Sequence, residues 1–160
     1  MSAAGERPPG GSPSLHVTAP EVGFVGTTAG MTGAQLRSVQ IVLMEYGPVE
    51  VHLAGRPGAD EEVSEIADRL RLWRMVHPGI VPGQGLACAG DVQYRAKPDD
   101  ERFSDIVGAV GMLVAAPRET HPTEGCRTWW TTARAREAGI PVVLVRPDGS
   151  TWRWERQKRG

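Results

Sequence analysis

The sequence predicts an α/β protein with a Rossmann-like three-layer sandwich, in which helices cover both faces of a mainly parallel five-stranded sheet. Three observations lead to this prediction. Short apolar segments alternate with amphipathic segments along the chain, which is typical of β-α-β units. A turn rich in glycine and threonine follows the first apolar segment. Turns of this kind connect the first strand to the first helix in ligand-binding domains of the Rossmann type. The apolar segment 111–117 is nearly continuous, as expected for a strand that is covered on both faces.

The composition is typical of one globular domain. A chain of 160 residues with 40% hydrophobic content can bury a core without disulfides or metals. Its net charge is −1 and its charges are mixed, so an extended surface for nucleic acid is not expected. The two cysteines and the absence of a long apolar run argue against a disulfide framework and a membrane span. Since the N-terminus does not resemble a secretory signal, we expect a cytoplasmic protein.

Composition also predicts three segments. Residues 1–16 are rich in glycine, proline, alanine and serine, so we expect a disordered N-terminal arm. Residues 17–150 carry the alternating apolar pattern and are expected to form the Rossmann-like domain. Residues 151–160 form a basic C-terminal tail, for which a solvated terminus is favoured over a contact with phosphate or a partner.

The first half of the domain predicts strands that alternate with helices. Thr32 is a suitable N-cap, and Gly47 and Pro48 end the helix that follows it. Apolar residues recur at helical spacing between these limits, at Leu36, Val39, Leu43 and Tyr46. The expected order is a strand that ends at Gly26, a helix at 32–46, a strand at 49–54, a helix that starts at Asp60 and a strand at 72–77.

The second half continues the alternation after an irregular segment. Residues 79–98 contain several glycines and prolines and have no clear period, which predicts a long loop. The elements expected after it are a short helix at 99–107, a strand at 111–117, a polar loop at 118–124, a helix at 125–138, a last strand at 141–145 and a turn at 147–149.

The alternation of strands and helices implies parallel strands with right-handed crossovers. We expect the first strand to lie centrally, with the second and third strands on one side and the fourth and fifth on the other. In such sheets, ligands bind outside the C-terminal strand ends where the strand order reverses. The turns at 26–30, 54–58 and 117–128 are expected to meet there, which favours a binding site over plain glycine-rich connections.

The first of these turns has the chemistry of a phosphate-binding loop. It contains Gly26, Thr27, Thr28 and Gly30 directly before the first helix. Backbone N–H groups, threonine hydroxyls and the positive N-terminus of the helix can all point at an anion there. Glycine also lets the main chain approach the ligand closely.

The order of these motifs resembles the YspA-like branch of the SLOG superfamily. The matching segments are Gly26-Thr27-Thr28, His52 to Asp60, Asp105-Ile106-Val107 and Thr128-Trp129. The superfamily includes the Lonely Guy phosphoribohydrolases and the DNA-processing protein DprA. The resemblance covers about residues 22–149 and implies a Rossmann-like domain that binds a nucleotide or a nucleotide-derived metabolite, as a sensor or ligand-binding protein.

Several positions depart from the family pattern. Thr28 stands where the family usually has arginine, so a cation that could hold phosphate is missing. Phe103 and Ser104 replace two polar residues of the family before the fourth strand. Arg127 replaces a glycine at the start of the last helix. Two roles for Arg127 stay open, because it could block the approach of a phosphate or supply the charge lost at Thr28.

One further departure concerns catalysis. The glycine-rich motif of the phosphoribohydrolases corresponds to residues 124–131, and Thr131 occupies the position of the catalytic glutamate. Glycosidic cleavage passes through an oxocarbenium-like state that normally needs a carboxylate. A binding protein is therefore favoured over an enzyme. Two alternatives remain: a nucleoside-monophosphate glycosidase with a rearranged carboxylate such as Glu124 or Asp60, and an interaction module whose ligand site has decayed.

The expected site is a crevice that holds a nucleotide or a derivative of one. The ligand-binding residues predicted for it are Gly26, Thr27, Thr28, Gly30, Gly55, Gly58, Asp60, Pro117, Gly125, Arg127, Thr128 and Trp129. Phosphate is expected on the first turn and near Arg127, and a base near Trp129 or Trp130. No catalytic residue, metal ligand or cofactor is assigned. Neither a membrane nor a nucleic acid is expected as a partner, and association of two copies is left open.

Other candidate residues favour structural roles. His52, His77 and His121 lack the spacing of a zinc site, so hydrogen-bonded packing roles are expected for them. Cys126 is predicted at a helix N-terminus, which can activate a thiol. A nucleophile also needs a base within hydrogen-bond reach, and none is evident from the sequence.

Overall fold

The computed structural model describes residues 20–80 and 86–155. The arm expected at residues 1–16 and the last part of the predicted tail lie outside this range. The described elements are β1 (Glu21–Gly26), α1 (Gly33–Tyr46), β2 (Glu50–Leu53), α2 (Ala59–Leu70), β3 (Trp73–Val76), β4 (Val92–Gln93), α3 (Asp99–Ala109), β5 (Met112–Ala116), α4 (Arg127–Glu137), β6 (Val142–Val145) and β7 (Thr151–Trp154).

The strands form one mainly parallel sheet with the order β4-β3-β2-β1-β5-β6-β7. β1 lies centrally and pairs in parallel with β2 and with β5. This confirms the α/β class and the predicted placement of the first strand. The strand order reverses between β1 and β5, so the C-terminal ends of these two strands define the expected binding crevice.

The sheet has seven strands rather than the five predicted, because two short strands extend its edges. β4 lies inside the predicted long loop and pairs in parallel with β3. Two residues are too few to produce a hydrophobic period, so no sequence pattern reveals this strand. The turn at 147–149 is confirmed, and it leads into β7, which pairs antiparallel to β6. The sheet therefore continues four residues past the boundary expected at residue 150, since pairing with β6 orders a segment whose charge indicated a solvated terminus.

Two buried clusters lie on opposite faces of the sheet. One cluster contains Phe24 together with residues of α1 and α2, and the other contains Val25 together with residues of α3 and α4. Because successive residues of a strand point to opposite faces, β1 contributes to both cores. Helices on both faces confirm the three-layer arrangement.

The predicted ends of α1 are also confirmed, and its first turn is tied to the sheet. The Thr32 hydroxyl oxygen accepts a hydrogen bond from Gln35 N–H at 3.0 Å, and Gly47 ends the helix with a φ of 54°. Gln35 Nε2 donates to the carbonyl oxygens of Pro117 and Val145 at 2.9 Å each. The start of α1 is thus held against the C-terminal ends of β5 and β6.

The helices were also compared with the length and hydropathy that a membrane span requires. Within residues 20–80 and 86–155, none of them is long and apolar enough to cross a membrane.

Candidate anion-binding site

The turn after β1 is held by backbone hydrogen bonds to two other elements. Thr27 N–H donates to the Ala116 carbonyl at 3.1 Å, and the Thr27 carbonyl accepts from Ala59 N–H at 2.9 Å. The Thr27 hydroxyl oxygen accepts from Ala29 N–H at 3.1 Å, so this hydroxyl stabilises its own turn. The turn is therefore held rigidly between the end of β5 and the start of α2.

Glycine allows the turns after β1 and β2 to pack directly on each other. Gly58 has a φ of 84°, and a side chain there would collide with the Thr28 carbonyl group. A Cβ at Gly26 would lie 2.6 Å from the Ala59 Cβ, so this position is also closely packed. The absence of a side chain at both glycines therefore lets the turn after β1 and the turn after β2 pack closely.

A cavity of about 390 Å³ lies at the reversal point, between these turns and the N-terminus of α4. Its lining includes half of the residues predicted from the sequence, namely Gly26, Thr27, Thr28, Gly125, Arg127 and Thr128. It also includes four residues that the sequence analysis did not assign to the site, namely Arg56, Asp99, Glu119 and Cys126. The turns expected to converge do meet around one cavity.

The other predicted residues do not line this cavity, and they are Gly30, Gly55, Gly58, Asp60, Pro117 and Trp129. Asp60 and Trp129 are buried, with 2% and 9% of their surfaces exposed. The Pro117 carbonyl accepts the hydrogen bond from Gln35. Their proximity in sequence to the turns therefore does not bring these residues to the cavity surface.

Arg56 is the one cation among the four lining residues that sequence reasoning missed. Its Nη2 donates to the Gly26 carbonyl at 2.9 Å, and its guanidinium lies 5.1 Å from the centre of the Phe103 ring. Among the described residues, no carboxylate forms an ion pair with this guanidinium, and its buried Nε has no hydrogen-bond partner. Burial lowers the pKa of Arg56, and the neighbouring Asp60 opposes this effect. An arginine stays charged in such a site, so Arg56 provides a cation with unused donor capacity.

Asp60 is a buried residue that contacts the main chain of Arg56. Its Oδ2 accepts a hydrogen bond from Arg56 N–H at 3.0 Å, while its buried Oδ1 has no partner within the described chain. Burial raises the pKa of Asp60 to about 6, and the positive charge of Arg56 opposes this effect. Asp60 therefore supports the turn that carries Arg56, and burial keeps it away from a ligand.

Arg127 contributes a second cation to the cavity lining. Its Nη1 forms an ion pair with Asp100 at 2.8 Å, and its guanidinium lies 4.5 Å from the centre of the Trp130 ring. No side chain caps the N-terminus of α4, where Cys126 is the N-cap residue. The first N–H groups of a helix have no partners within the helix, and they carry partial positive charge. This end of α4 suits an anion.

Three guanidinium groups surround the ring of Phe103, and two of them, those of Arg56 and Arg127, line the cavity. The guanidinium groups of Arg56, Arg102 and Arg127 lie 5.1, 5.0 and 5.4 Å from the centre of its ring. The face of an aromatic ring attracts cations. The ring of Phe103 thus lies beside arginines from three different elements.

Both carboxylates that line the cavity, Asp99 and Glu119, have a partner among the described side chains. Asp99 pairs with Arg102 at 2.8 Å, and Glu119 accepts a hydrogen bond from the Cys126 thiol at 3.4 Å. Thr131 is fully buried, and its hydroxyl donates to the Arg127 carbonyl at 2.8 Å. The Thr131 hydroxyl therefore bonds to its own helix and does not face the cavity lining.

Both tryptophans of α4 contact other residues of the described chain. Trp129 packs in the core, and its Nε1 donates to the Glu119 carbonyl at 3.2 Å. The Trp130 ring contacts the guanidinium groups of Arg127 and Arg134, which lie 4.5 and 4.7 Å from its centre. The expectation of a base near Trp129 or Trp130 therefore has no support from the rings of these two residues.

The described residues include no group of three or more histidine, cysteine, aspartate or glutamate side chains that could hold a metal ion. No family model matches this chain, and no curated protein matches it in a sequence search. Among solved structures, the chain is similar to a molybdenum cofactor binding protein from the phototrophic bacterium Rippkaea orientalis. The TM-score is 0.63 at 18% identity, and the match covers 79% of this chain and 76% of the other. At this identity the similarity shows a shared fold, a mainly parallel α/β sheet with helices on both faces.

Proposed function

We propose that this chain is a SLOG-type binding protein that holds the phosphate of a nucleotide or nucleotide-derived metabolite in the cavity between β1 and β5. The observation that carries the proposal is the convergence of Arg56, Arg127 and the uncapped N-terminus of α4 on one cavity. Arginine donors and helix N-termini are the groups that proteins use most often for phosphate.

Arg56 supplies the charge that is missing at Thr28. It comes from the turn after β2, and its hydrogen bond to the Gly26 carbonyl places it against the turn after β1. The guanidinium of Arg127 is paired with Asp100, so Arg56 is expected to contribute more to the binding of an anion. Of the two roles left open for Arg127, this arrangement favours a supporting cation over a block.

The test compares phosphorylated ligands with a matched ligand that has no phosphate. Thermal unfolding and calorimetry are measured with AMP, cyclic AMP, ADP-ribose and a dinucleotide, and adenosine is the matched ligand without phosphate. A ligand at one hundred times its Kd adds about 2.7 kcal/mol of stability. We expect stabilisation by at least one phosphorylated ligand and none by adenosine. Stabilisation by adenosine equal to that by the phosphorylated ligands would contradict the phosphate site, and no effect of any ligand would favour an interaction module.

The molybdenum cofactor belongs in the same panel. The structural similarity to a protein that binds this cofactor is the reason to include it. Stabilisation by the cofactor, without stabilisation by any nucleotide, would keep the cavity as the binding site and replace the ligand class.

A nucleoside-monophosphate glycosidase is the second candidate, because Glu119 lines the cavity and a cysteine thiol is its described side-chain partner. Glu119 replaces the two carboxylates considered from the sequence, since Glu124 is exposed away from the lining and Asp60 is buried. Release of free base from AMP would support this candidate if Glu119→Gln abolishes it and Glu124→Gln preserves it. Binding without base release would leave a binding protein.

A further inference from the structure

A second cavity of about 760 Å³ lies between α3 and the segments that follow β3 and β4. Its lining includes His77, Tyr94, Arg95, Lys97 and Asp105. None of these residues lines the anion-binding cavity. The proposed phosphate site leaves these side chains without a role.

A buried hydrogen-bonded chain leads into this cavity. Glu50 Oε2 lies 2.5 Å from His52 Nε2, and His52 Nδ1 lies 2.9 Å from His77 Nε2. The two histidines are only 2% and 5% exposed. A chain of this kind fixes which nitrogen of each ring carries a proton.

The proton positions follow from the carboxylate end. A carboxylate can only accept, so His52 Nε2 carries a proton and donates it to Glu50. In a neutral His52 the other nitrogen, Nδ1, is then an acceptor, and His77 Nε2–H donates to it. A neutral His77 is left with an unprotonated Nδ1. Burial and the neighbouring His52 lower the pKa of His77 to about 4, so its ring is neutral at physiological pH.

The residues around His77 add an aromatic ring and positive charge to the lining of the cavity. The Tyr94 ring stacks on the His77 ring with 4.3 Å between centres, and 39% of Tyr94 remains exposed. Lys97 forms an ion pair with Asp105 at 2.7 Å. Arg95 is exposed and forms no ion pair with any residue in the described ranges. The cavity is therefore lined by an aromatic ring, a histidine with one unprotonated nitrogen and an excess of positive charge.

We propose that this cavity is a second ligand site, which takes a planar aromatic acid that carries an O–H or N–H donor. His77 accepts the hydrogen bond from the donor, Tyr94 stacks on the ring, and Arg95 neutralises the carboxylate. The site is independent of the proposed phosphate site, so either can fail without the other.

The first measurement determines the tautomer of His77. Long-range proton–nitrogen NMR spectra of the full chain, recorded at about pH 8 where unperturbed imidazoles are neutral, should show a protonated Nε2 and an unprotonated Nδ1. Glu50→Gln should replace this single tautomer by a mixture, since an amide can donate as well as accept. A protonated Nδ1 in the unmodified chain would overturn the proposal.

The second measurement uses three acids that differ in one feature each. 4-Hydroxybenzoate has the ring, the charge and a donor, benzoate lacks the donor, and cyclohexanecarboxylate also lacks the aromatic ring. We expect 4-hydroxybenzoate to shift the ring resonances of His77 and Tyr94 and to bind about fivefold more tightly than benzoate, as one hydrogen bond allows. Cyclohexanecarboxylate should bind more weakly still.

Protein variants test the same site without disturbing the core. Arg95→Gln should weaken 4-hydroxybenzoate by about threefold or more, whereas Arg69→Gln, at an exposed residue of α2 outside both cavities, should not change its affinity. Equal affinities for 4-hydroxybenzoate and benzoate, no shift at His77 or Tyr94, or an unchanged affinity in Arg95→Gln would overturn the proposal.

Discussion

At the scale of single residues, the proposed phosphate site depends most on Arg56. The side chain starts in the turn after β2 but donates to the Gly26 carbonyl in the turn after β1. Its buried Nε lacks a described partner. An unmet buried donor costs free energy, and the proposed anion would lie beside the same guanidinium group.

Arg56→Gln should weaken binding of the phosphorylated ligand by about 10- to 100-fold, because a hydrogen bond to a charged group contributes about 1.5–3 kcal/mol. Isothermal titration calorimetry measures the effect. The matched control is Arg69→Gln, which removes the same charge from an exposed position on α2 and should leave Kd unchanged. If both variants weaken binding equally, the effect comes from net charge and Arg56 has no special role.

Asp60 should make the stability of the protein depend on pH. Its pKa is raised from 3.8 to about 6 on folding, so the folded state holds the proton more tightly than the unfolded state. The stability of the folded protein therefore decreases as the pH rises from about 4 to about 6. Asp60→Asn removes this titration, so the variant should gain on the order of 3 kcal/mol relative to the unmodified chain across that window.

Urea unfolding at several pH values measures this difference. Glu65→Gln, at an exposed position of the same helix, is the control and should show a nearly constant difference from the unmodified chain. A constant difference for Asp60→Asn as well would mean that Asp60 does not titrate in this range.

At the scale of elements, the two turns that border the anion-binding cavity act as one unit. Ala59 N–H donates to the Thr27 carbonyl at 2.9 Å, and Gly58 packs against the Thr28 carbonyl. Neither turn can move without the other. The site is therefore held in place by main-chain contacts, and the side chain of Arg56 is added to a rigid frame.

Gly58→Ala should destabilise the fold by about 2 kcal/mol or more, since alanine is strained at a φ of 84° and its methyl group would collide with the Thr28 carbonyl. Gly108→Ala is the matched control, because no atom lies within 4 Å of the added methyl group in helix α3. This control should stabilise the protein by about 0.5–1 kcal/mol. Thermal unfolding measures both variants, and similar effects of the two substitutions would contradict the packing argument.

At the scale of the whole molecule, β7 completes the sheet and extends the domain beyond its expected end. The Trp154 ring packs against the core on the α3 and α4 side and lies 4.5 Å from the guanidinium of Arg136. Trp152, two residues earlier, is 52% exposed. The strand therefore contributes to the fold mainly through one of its two tryptophans.

Trp154→Ala should lower the free energy of unfolding by about 1–2 kcal/mol, as expected when a partly buried aromatic side chain is removed. Trp152→Ala changes the same residue type on the same strand and should stay within about 0.5 kcal/mol of the unmodified chain. Chemical denaturation distinguishes the two. If both variants are neutral, β7 is dispensable for stability.

The sequence by itself determined the α/β class, the central first strand, the capped helix α1 and the region where the turns meet. These features depend on local patterns: the period of apolar residues, the Thr32 cap, the Gly47 stop and the continuous apolar run of β5. Tertiary structure alone decided that β4 and β7 join the sheet, because their pairing partners are β3 and β6 and no local period reveals them. It also decided that Arg56 reaches the site while Trp129 turns into the core. A side chain's environment is set by elements distant in sequence, and burial and charge at the site arise from their contacts.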